Sequence, residues 1–196
     1  VVMVLLVIGL IKANRITSLA EDEMFADEIV FTKDTPYQRI VITRGRAGFQ
    51  LFLNGNLQFS STDEYRYHEA LVHPAMIVSN SPKRVLVLGG GDGLALREIL
   101  KYPSVERVTL VDLDPEMTKL SSRFPPLASL NQRSFSDPRV QVINEDAFIW
   151  VEQSNDPAYD AAIVDFPDPN TFALGKLYTT RFYRLLRSRL TQTAGV

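Results

Sequence analysis

The sequence contains no cysteine and only two histidines, His68 and His73, among its 196 residues. Without thiols the chain can form neither disulfides nor a zinc ribbon, and it has no thiolate nucleophile. Two histidines also argue against a transition-metal site built from protein ligands. We therefore predict no metal site, and we expect the chemistry to come from carboxylates, tyrosines and a bound small molecule.

An excess of positive charge is lacking as well. The chain has 21 Lys and Arg against 23 Asp and Glu, which gives a formal net charge of −2. Because nucleic-acid binding depends on clustered Lys and Arg, we predict no nucleic-acid partner. The composition, 45% hydrophobic and 22% charged, is that of a globular chain that buries a core.

The N-terminus has a hydrophobic run that is shorter than a membrane span. The first eleven residues are apolar and precede Lys12 and Arg15, whereas about 20 apolar residues are needed to cross a bilayer. The run is either the end of a transmembrane helix with cytoplasmic flanking charges or a buried helix of the domain. The first alternative predicts the cytoplasmic face of the cell membrane, and the second predicts the cytoplasm. We assign residues 1–26 to this segment and a linker.

Residues 27–80 are predicted to form a small β domain followed by a helix. Apolar and polar residues alternate in YQRIVITR and FQLFLNGNLQFS, and Asn54-Gly55 is a strong hairpin signal. Ser61 and Glu64 resemble a capping box that opens a helix, which Pro74 should end or kink.

Residues 81–196 are predicted to be an α/β domain. The strands RVLVLG, RVTLVD, RVQVIN and YDAAIVD alternate with helices that start near Asp92, Pro115 and Asp146. This alternation predicts a parallel sheet with helices on both faces. A fifth strand is expected to begin at TAGV.

A glycine-rich loop follows the first of these strands. The dinucleotide pattern Gly-x-Gly-x-x-Gly is excluded, because Leu94 or Leu96 stands at its last position. The pattern Gly89-x-Gly91-x-Gly93 is the tighter loop of folds that bind S-adenosyl compounds, and we predict a Rossmann-like sheet of that kind. Asp112, at the end of the next strand, can accept hydrogen bonds from both ribose hydroxyls.

Acidic residues recur where the strands should end. In open α/β sheets the ligand crevice lies outside those carboxyl ends. An N-cap role explains Asp146 by itself, but several acids at one edge suggest a cationic ligand. The group comprises Asp92, Asp112, Asp146, Asp165 and Asp168.

Seven motifs or motif groups follow one another along the chain: YQRI, LNGNLQFSSTDEYRYHEALVHPAM, VLVLGGGDG, VTLVDLDP, DPRV, EDAF and YDAAIVDFPDP…LYTTRFY. In this order and spacing the chain resembles the polyamine aminopropyltransferases, the spermidine synthases, over residues 37–196. It is most similar to a bacterial branch in which the enzyme domain follows a membrane region. The resemblance implies transfer of an aminopropyl group from decarboxylated S-adenosylmethionine to putrescine or a related amine. It also implies a homo-oligomer, a dimer or tetramer, with no permanently bound cofactor.

The resemblance further implies a role for individual residues. The nucleoside-binding set would be Gln38, Gly89, Gly91, Asp92, Gly93, Asp112, Asp146 and Ala147, and the amine-binding set would be Tyr67, His68, Asp92, Asp165 and Asp168. Asp165 would be the catalytic carboxylate. The co-substrate carries a sulfonium and an ammonium, so Asp92 would attract its ammonium and repel the carboxylate of S-adenosylmethionine.

The chain also departs from the family pattern, which leaves the acceptor amine open. Asn54, Leu94, Asp112, Ala147 and Phe172 stand where Asp, Gly, Glu, Gly and Pro are usual. Because the family domain continues beyond Val196, we expect this chain to be a fragment.

Two alternatives remain at this stage. One is an S-adenosylmethionine methyltransferase, which shares the sheet and the loop, although Asp92 and the paired acids of DFPDP argue against it. The other is a non-catalytic fragment that binds nucleoside or forms oligomers.

Overall fold

The computed structural model describes residues 25–169 and 171–195. The chain divides into two compact units, residues 1–63 and residues 64–196. The apolar run at residues 1–11, for which two alternatives were predicted, lies outside the described residues. Among the helices of the described part, none is both long enough and apolar enough to cross a bilayer.

The first unit contains a four-stranded antiparallel sheet, which confirms the predicted β domain. Its strands are β1 (Glu28–Asp34), β2 (Arg39–Arg44), β3 (Phe49–Leu53) and β4 (Asn56–Ser60), paired in that order. Asn54 and Gly55 connect β3 to β4 with φ angles of 51° and 78°, as a two-residue hairpin turn requires. Strand β2 is central and contributes the fully buried Ile40 and Ile42.

The second unit begins with helix α1 (Glu64–Val78) and continues into a five-stranded parallel sheet. The strands are β5 (Arg84–Gly89), β6 (Arg107–Asp112), β7 (Val140–Asn144), β8 (Tyr159–Asp165) and β9 (Leu190–Gly195). Their order is β7-β6-β5-β8-β9. The predicted α/β class is therefore confirmed, and the fifth strand begins at Leu190, a few residues before TAGV.

Helices cover both faces of the parallel sheet. They are α2 (Leu94–Ile99), α3 (Pro115–Arg123), α4 (Pro125–Leu130), α5 (Ala147–Gln153), α6 (Phe172–Gly175) and α7 (Thr180–Ser188). One apolar core joins alternate residues of β5, such as Val85 and Val87, to α1 and α2. The core on the opposite face contains Leu86 with Trp150 of α5 and Phe182 of α7.

The two compact units divide between residues 63 and 64, whereas the predicted domain boundary lies at residue 80. Helix α1 belongs to the second unit because Val72, Ala75 and Met76 pack into the core of the parallel sheet. The helix also continues through Pro74 to Val78. An interior proline costs roughly 3 kcal/mol, but burying Val72 and Met76 contributes about 1.5–3 kcal/mol each, which offsets that cost. The hydroxyl of Ser61 accepts a hydrogen bond from the Phe49 amide at 2.9 Å rather than from the helix.

The strand order determines where a ligand can bind. The connection from β5 runs to β6 on one side, whereas β8 lies on the other side of β5. Open α/β sheets bind ligands outside the carboxyl ends of the strands at such a switch point. Three strand ends meet there, at Gly89, Asp112 and Asp165.

Candidate active site

The glycine-rich loop between β5 and α2 packs directly against the ends of the two neighbouring strands. A Cβ atom on Gly91 would lie 2.6 Å from Oδ2 of Asp112, so a larger residue would displace that carboxylate. Gly89 has a φ angle of 81°, and a Cβ there would lie 2.0 Å from the backbone oxygen of Asp165. Only glycine fits both the backbone conformation and this close approach. The loop therefore lies between Asp112 and Asp165.

Two polar side chains on the segment after α4 support the same loop. Asn131, which is fully buried, donates from Nδ2 to the backbone oxygen of Asp92 at 2.9 Å. The hydroxyl of Ser134 donates to the backbone oxygen of Gly93 at 2.9 Å. Sequence reasoning missed both residues, because SLNQRSF has no periodicity or motif that marks a contact with the loop.

Asp112 is held in place by backbone N–H groups. Its Oδ1 accepts from the Asp114 amide at 2.9 Å, and the Gly91 amide also donates to the carboxylate. Burial, together with the nearby charges of Asp114 and Asp92, raises the pKa of Asp112 to about 6, although the backbone hydrogen bonds lower it. A ligand that donates hydrogen bonds to this carboxylate would favour its ionised form.

Asp165 ends strand β8 and accepts a hydrogen bond from helix α1. The hydroxyl of Tyr67 donates to Oδ1 of Asp165 at 2.7 Å. Burial raises the pKa of Asp165, the charge of Asp92 raises it further, and the Tyr67 hydrogen bond acts in the opposite direction. Burial and the neighbouring Asp165 likewise raise the pKa of Tyr67 well above its usual value. Tyr67 therefore remains a proton donor at neutral pH.

His68 and Asp92 lie beside this pair. His68 is buried, and its Nε2 atom lies 3.8 Å from Oδ2 of Asp92. The other oxygen of Asp92 accepts from the Leu94 amide at 2.8 Å, which orients the carboxylate at the start of α2. The ring of Tyr67 meets that of His68 edge to face, with 5.0 Å between the ring centroids. Tyr67, His68, Asp92 and Asp165 thus form one polar group at the end of the sheet.

The remaining predicted residues have other surroundings. Asp146 caps α5, where its Oδ1 accepts from the Phe148 amide at 2.9 Å and its Oδ2 is paired with Nζ of Lys176. Ala147 is the buried first residue of that helix. Asp168 is exposed on the segment after β8. Gln38 lies in the first unit, where its backbone N–H donates to Thr35 Oγ1 at 3.0 Å.

One further group of metal-ligand residue types lies among the described residues, formed by Glu69, His73 and Glu98. The two carboxylate oxygens of Glu98 already accept from Arg97 at 2.9 Å and from Lys101 at 2.5 Å. His73 Nδ1 lies 2.9 Å from the hydroxyl of Tyr102. These contacts make the group an ion-pair network, and the predicted absence of a metal stays a prediction.

The site therefore combines a glycine-rich loop with Asp92, Asp112 and Asp165, a set suited to a nucleoside that carries positive charge. Residues 64–196 match the family model described as the spermine/spermidine synthase domain. The chain belongs to this family.

Relatives in the family carry matching names. The chain is 54% identical over 194 residues to the polyamine aminopropyltransferase of Leptospira interrogans, covering 99% of this chain and 39% of that protein. It is 56% identical over 188 residues to polyamine aminopropyltransferase 2 of Ralstonia nicotianae, covering 96% of this chain and 37% of that protein. The chain thus spans about two fifths of the length of these family members.

Solved structures of the family share the fold. A crystal structure of spermidine synthase in complex with the transition state analogue AdoDATO superposes with a TM-score of 0.77 at 31% identity, over 83% of this chain and 55% of that one. Spermidine synthase from Thermotoga maritima gives a TM-score of 0.75 at 30% identity, over 84% and 54% of the two chains.

Proposed function

We propose that the protein transfers an aminopropyl group from decarboxylated S-adenosylmethionine to putrescine, giving spermidine and methylthioadenosine. The observation that carries this proposal is the packing of the glycine-rich loop, which bears Asp92, between Asp112 and Asp165; the charge of Asp92 raises the pKa of both carboxyl groups. Like charges in one half-buried site repel each other, and a cationic ligand removes that repulsion. Family membership and the names of the relatives support the same activity.

The nucleoside part of the co-substrate would lie along the glycine-rich loop. Gly89, Gly91 and Gly93 let the ligand approach the backbone, and Asp112 accepts hydrogen bonds from the ribose hydroxyls. Asp146 and Ala147 at the start of α5 would border the adenine, whereas the role of Gln38, which lies in the first unit, stays a prediction. Since Lys176 is paired with Asp146, an adenine contact by that carboxylate would compete with this ion pair.

The amines would bind on the other side of the loop. Asp92 and His68 would face the ammonium of the aminopropyl chain, and Tyr67, Asp165 and Asp168 would hold the diamine. A carboxylate at Asp92 also opposes the carboxylate of S-adenosylmethionine, which disfavours the methyltransferase alternative.

The reaction is a displacement at carbon. The amine nitrogen donates its lone pair to the aminopropyl carbon, a C–N bond forms, the C–S bond breaks, and its electron pair returns to sulfur as a neutral thioether. An alkyl ammonium with an ordinary pKa of about 10.4 cannot attack while protonated. Asp165 would accept the proton of the attacking amine, and its raised pKa makes it a better base for this step. Much of the rate would come from alignment of nitrogen, carbon and sulfur.

We propose residues 64–196 as the aminopropyltransferase domain and the sheet of residues 28–60 as a separate N-terminal domain, which the two compact units support. The homo-oligomeric state and the cytoplasmic location stay predictions. Membrane association through residues 1–11 stays a prediction as well.

The decisive experiment is product analysis by mass spectrometry. Purified protein is incubated with decarboxylated S-adenosylmethionine and, in separate reactions, putrescine, cadaverine or spermidine. We expect methylthioadenosine and spermidine in equal amounts with putrescine, and no product from S-adenosylmethionine. Methylated amine together with S-adenosylhomocysteine would instead identify a methyltransferase, and binding of methylthioadenosine without turnover would identify a non-catalytic module.

A further inference from the structure

Glu64, at the start of α1, is not among the predicted site residues, and it contacts the imidazole of His68. Nδ1 of His68 lies 2.8 Å from the backbone oxygen of Glu64 and 2.9 Å from its Oε2 atom. Both of these atoms are acceptors. The hydrogen bond at one ring nitrogen decides which nitrogen carries the proton of a neutral imidazole. This arrangement places the proton of His68 on Nδ1.

Arg97 of α2 fixes the carboxylate that makes this contact. Nη1 of Arg97 donates to Oε1 of Glu64 at 2.7 Å, and Nη2 donates to Oε2 at 3.0 Å. The side chains of Arg97 and Glu64 are only 7% and 4% exposed. Such a two-point bond between a guanidinium and a carboxylate is strong and fixes the geometry of both groups. Glu64 therefore cannot turn away from His68 without breaking a buried ion pair.

With the proton on Nδ1, the Nε2 atom of His68 carries a lone pair. This atom lies 3.8 Å from Oδ2 of Asp92, so a lone pair and a carboxylate oxygen stand side by side at the end of the sheet. An ammonium group donates up to three hydrogen bonds and has no acceptor. The opposite tautomer would point an N–H toward the same space and would repel an ammonium.

We propose that Glu64, held by Arg97, is a positioning residue that keeps the proton of His68 on Nδ1 and so presents Nε2, beside Asp92, as an acceptor for an ammonium group of the substrate. The assignment of that ammonium to a substrate rests on the proposed function. The assignment of the tautomer rests on the contacts of Glu64 and His68 alone.

The tautomer is measured directly by long-range ¹H–¹⁵N NMR of protein labelled at histidine nitrogens. The signals of His68 are assigned by their loss in His68→Gln. Spectra are recorded from pH 6 to 8, because the ionisable groups around the ring or its partners influence its protonation. These groups are Glu64, Asp92, Asp165, Tyr67 and Arg97. We expect a protonated Nδ1 and an unprotonated Nε2 at pH 8. A proton on Nε2, or an imidazolium at pH 8, would overturn the proposal.

Glu64→Gln tests the positioning role. Its amide oxygen can keep one bond to Arg97, which turns the amide NH₂ toward Nδ1 and favours the proton on Nε2, against the remaining contact of Nδ1 with the backbone oxygen. We expect the NMR signals to shift toward that tautomer and the KM for decarboxylated S-adenosylmethionine, whose aminopropyl ammonium would face His68 and Asp92, to rise about ten- to a hundredfold, as for a lost hydrogen bond to a charged group. The dissociation constant of methylthioadenosine should stay within about twofold, because Glu64 does not belong to the nucleoside set.

The matched control is Glu69→Gln, the same change at an exposed position of the same helix. It should leave both the tautomer and the KM unchanged. Equal effects of the two substitutions, or a wild-type tautomer in Glu64→Gln, would overturn the proposal. If Glu64→Gln does not fold, the tautomer of His68 in the wild-type spectrum tests the proposal by itself. A wild-type protein that makes no spermidine refutes the proposed function, whereas the tautomer still decides the role of Glu64.

Discussion

At the scale of single residues, two carboxylates of the site differ in what holds them, so their roles are separable by substitution. Asp165 accepts a hydrogen bond from the Tyr67 side chain, whereas Asp112 accepts from backbone amides of Asp114 and Gly91. We expect Asp165→Asn to lower turnover by roughly 10² to 10⁴, the range of general acid–base catalysis, with little change in methylthioadenosine affinity.

Asp112→Asn should show the opposite pattern. It removes the proposed charge-assisted hydrogen bond between the carboxylate and the ribose, which is worth about 1.5 to 3 kcal/mol. Methylthioadenosine should therefore bind about ten- to a hundredfold more weakly. Calorimetry gives the affinities, and steady-state kinetics gives the turnover numbers of both variants. If affinity and turnover fall together in each variant, Asp112 and Asp165 act as one electrostatic pocket and do not have the separate roles proposed for them.

The pKa of Asp112, about 6, predicts the pH dependence of nucleoside binding. Ribose hydroxyls donate to the ionised carboxylate, so methylthioadenosine affinity should rise about tenfold between pH 5 and pH 7.5, as the carboxylate loses its proton. Without ligand, the contribution of Asp112 to the free energy of unfolding depends on pH in the opposite direction. The folded state holds this proton more tightly than the unfolded state, so this contribution to stability is lost as pH rises from about 4 to about 6. In Asp112→Asn both dependences should disappear, and an unchanged pH profile in that variant would assign them to another group.

At the scale of elements, the glycine-rich loop depends on the segment after α4. Asn131→Ala removes the hydrogen bonds from Nδ2 to the backbone oxygens of Asp92 and Ser121. Each buried acceptor left without a partner costs about 1–3 kcal/mol. We expect a lower free energy of unfolding in urea and weaker methylthioadenosine binding, because the loop loses its support. Ser129→Ala, an exposed change on α4, is the control and should leave both quantities unchanged.

The strands and most helices of the second unit are predictable because their signals are local. Continuous apolar runs predict β5, β6 and β8, and the glycines and acids that follow them lie where those runs end. The division of the compact units at residue 63 differs from the predicted boundary at residue 80, because the packing of α1 on the sheet involves residues far apart in sequence and no local sequence pattern indicates it. Asn131 and the contact of Glu64 with Arg97 escaped prediction for the same reason. A spacing of four residues between Glu64 and His68 was the one available signal.

At the scale of the whole molecule, a bound nucleoside would contact β5, β6 and α5 together and so stabilise the second unit as a whole. A ligand at a concentration 100 times its dissociation constant adds about 2.7 kcal/mol to the stability of the folded state. We expect methylthioadenosine and decarboxylated S-adenosylmethionine to raise Tm more than S-adenosylmethionine at equal concentration, because Asp92 opposes the carboxylate of the last. Scanning calorimetry measures these shifts. Asp92→Asn should reduce the difference in Tm shift between S-adenosylmethionine and the other two ligands. An equal Tm shift of the wild type with all three ligands would contradict the role given to Asp92.

The hydrogen bond between Tyr67 and Asp165 joins positions 98 residues apart in the sequence. A ribosome adds about 5–20 residues per second, so about 5–20 seconds separate the synthesis of the two partners. Helix α1 therefore leaves the ribosome well before strand β8, on which it packs. During that interval α1 can pack with residues of β5 but lacks its contacts with β8. The hydrogen bond between Tyr67 and Asp165 therefore cannot form until β8 has left the ribosome, and nascent chains halted before Asp165 leave part of the apolar face of α1 uncovered.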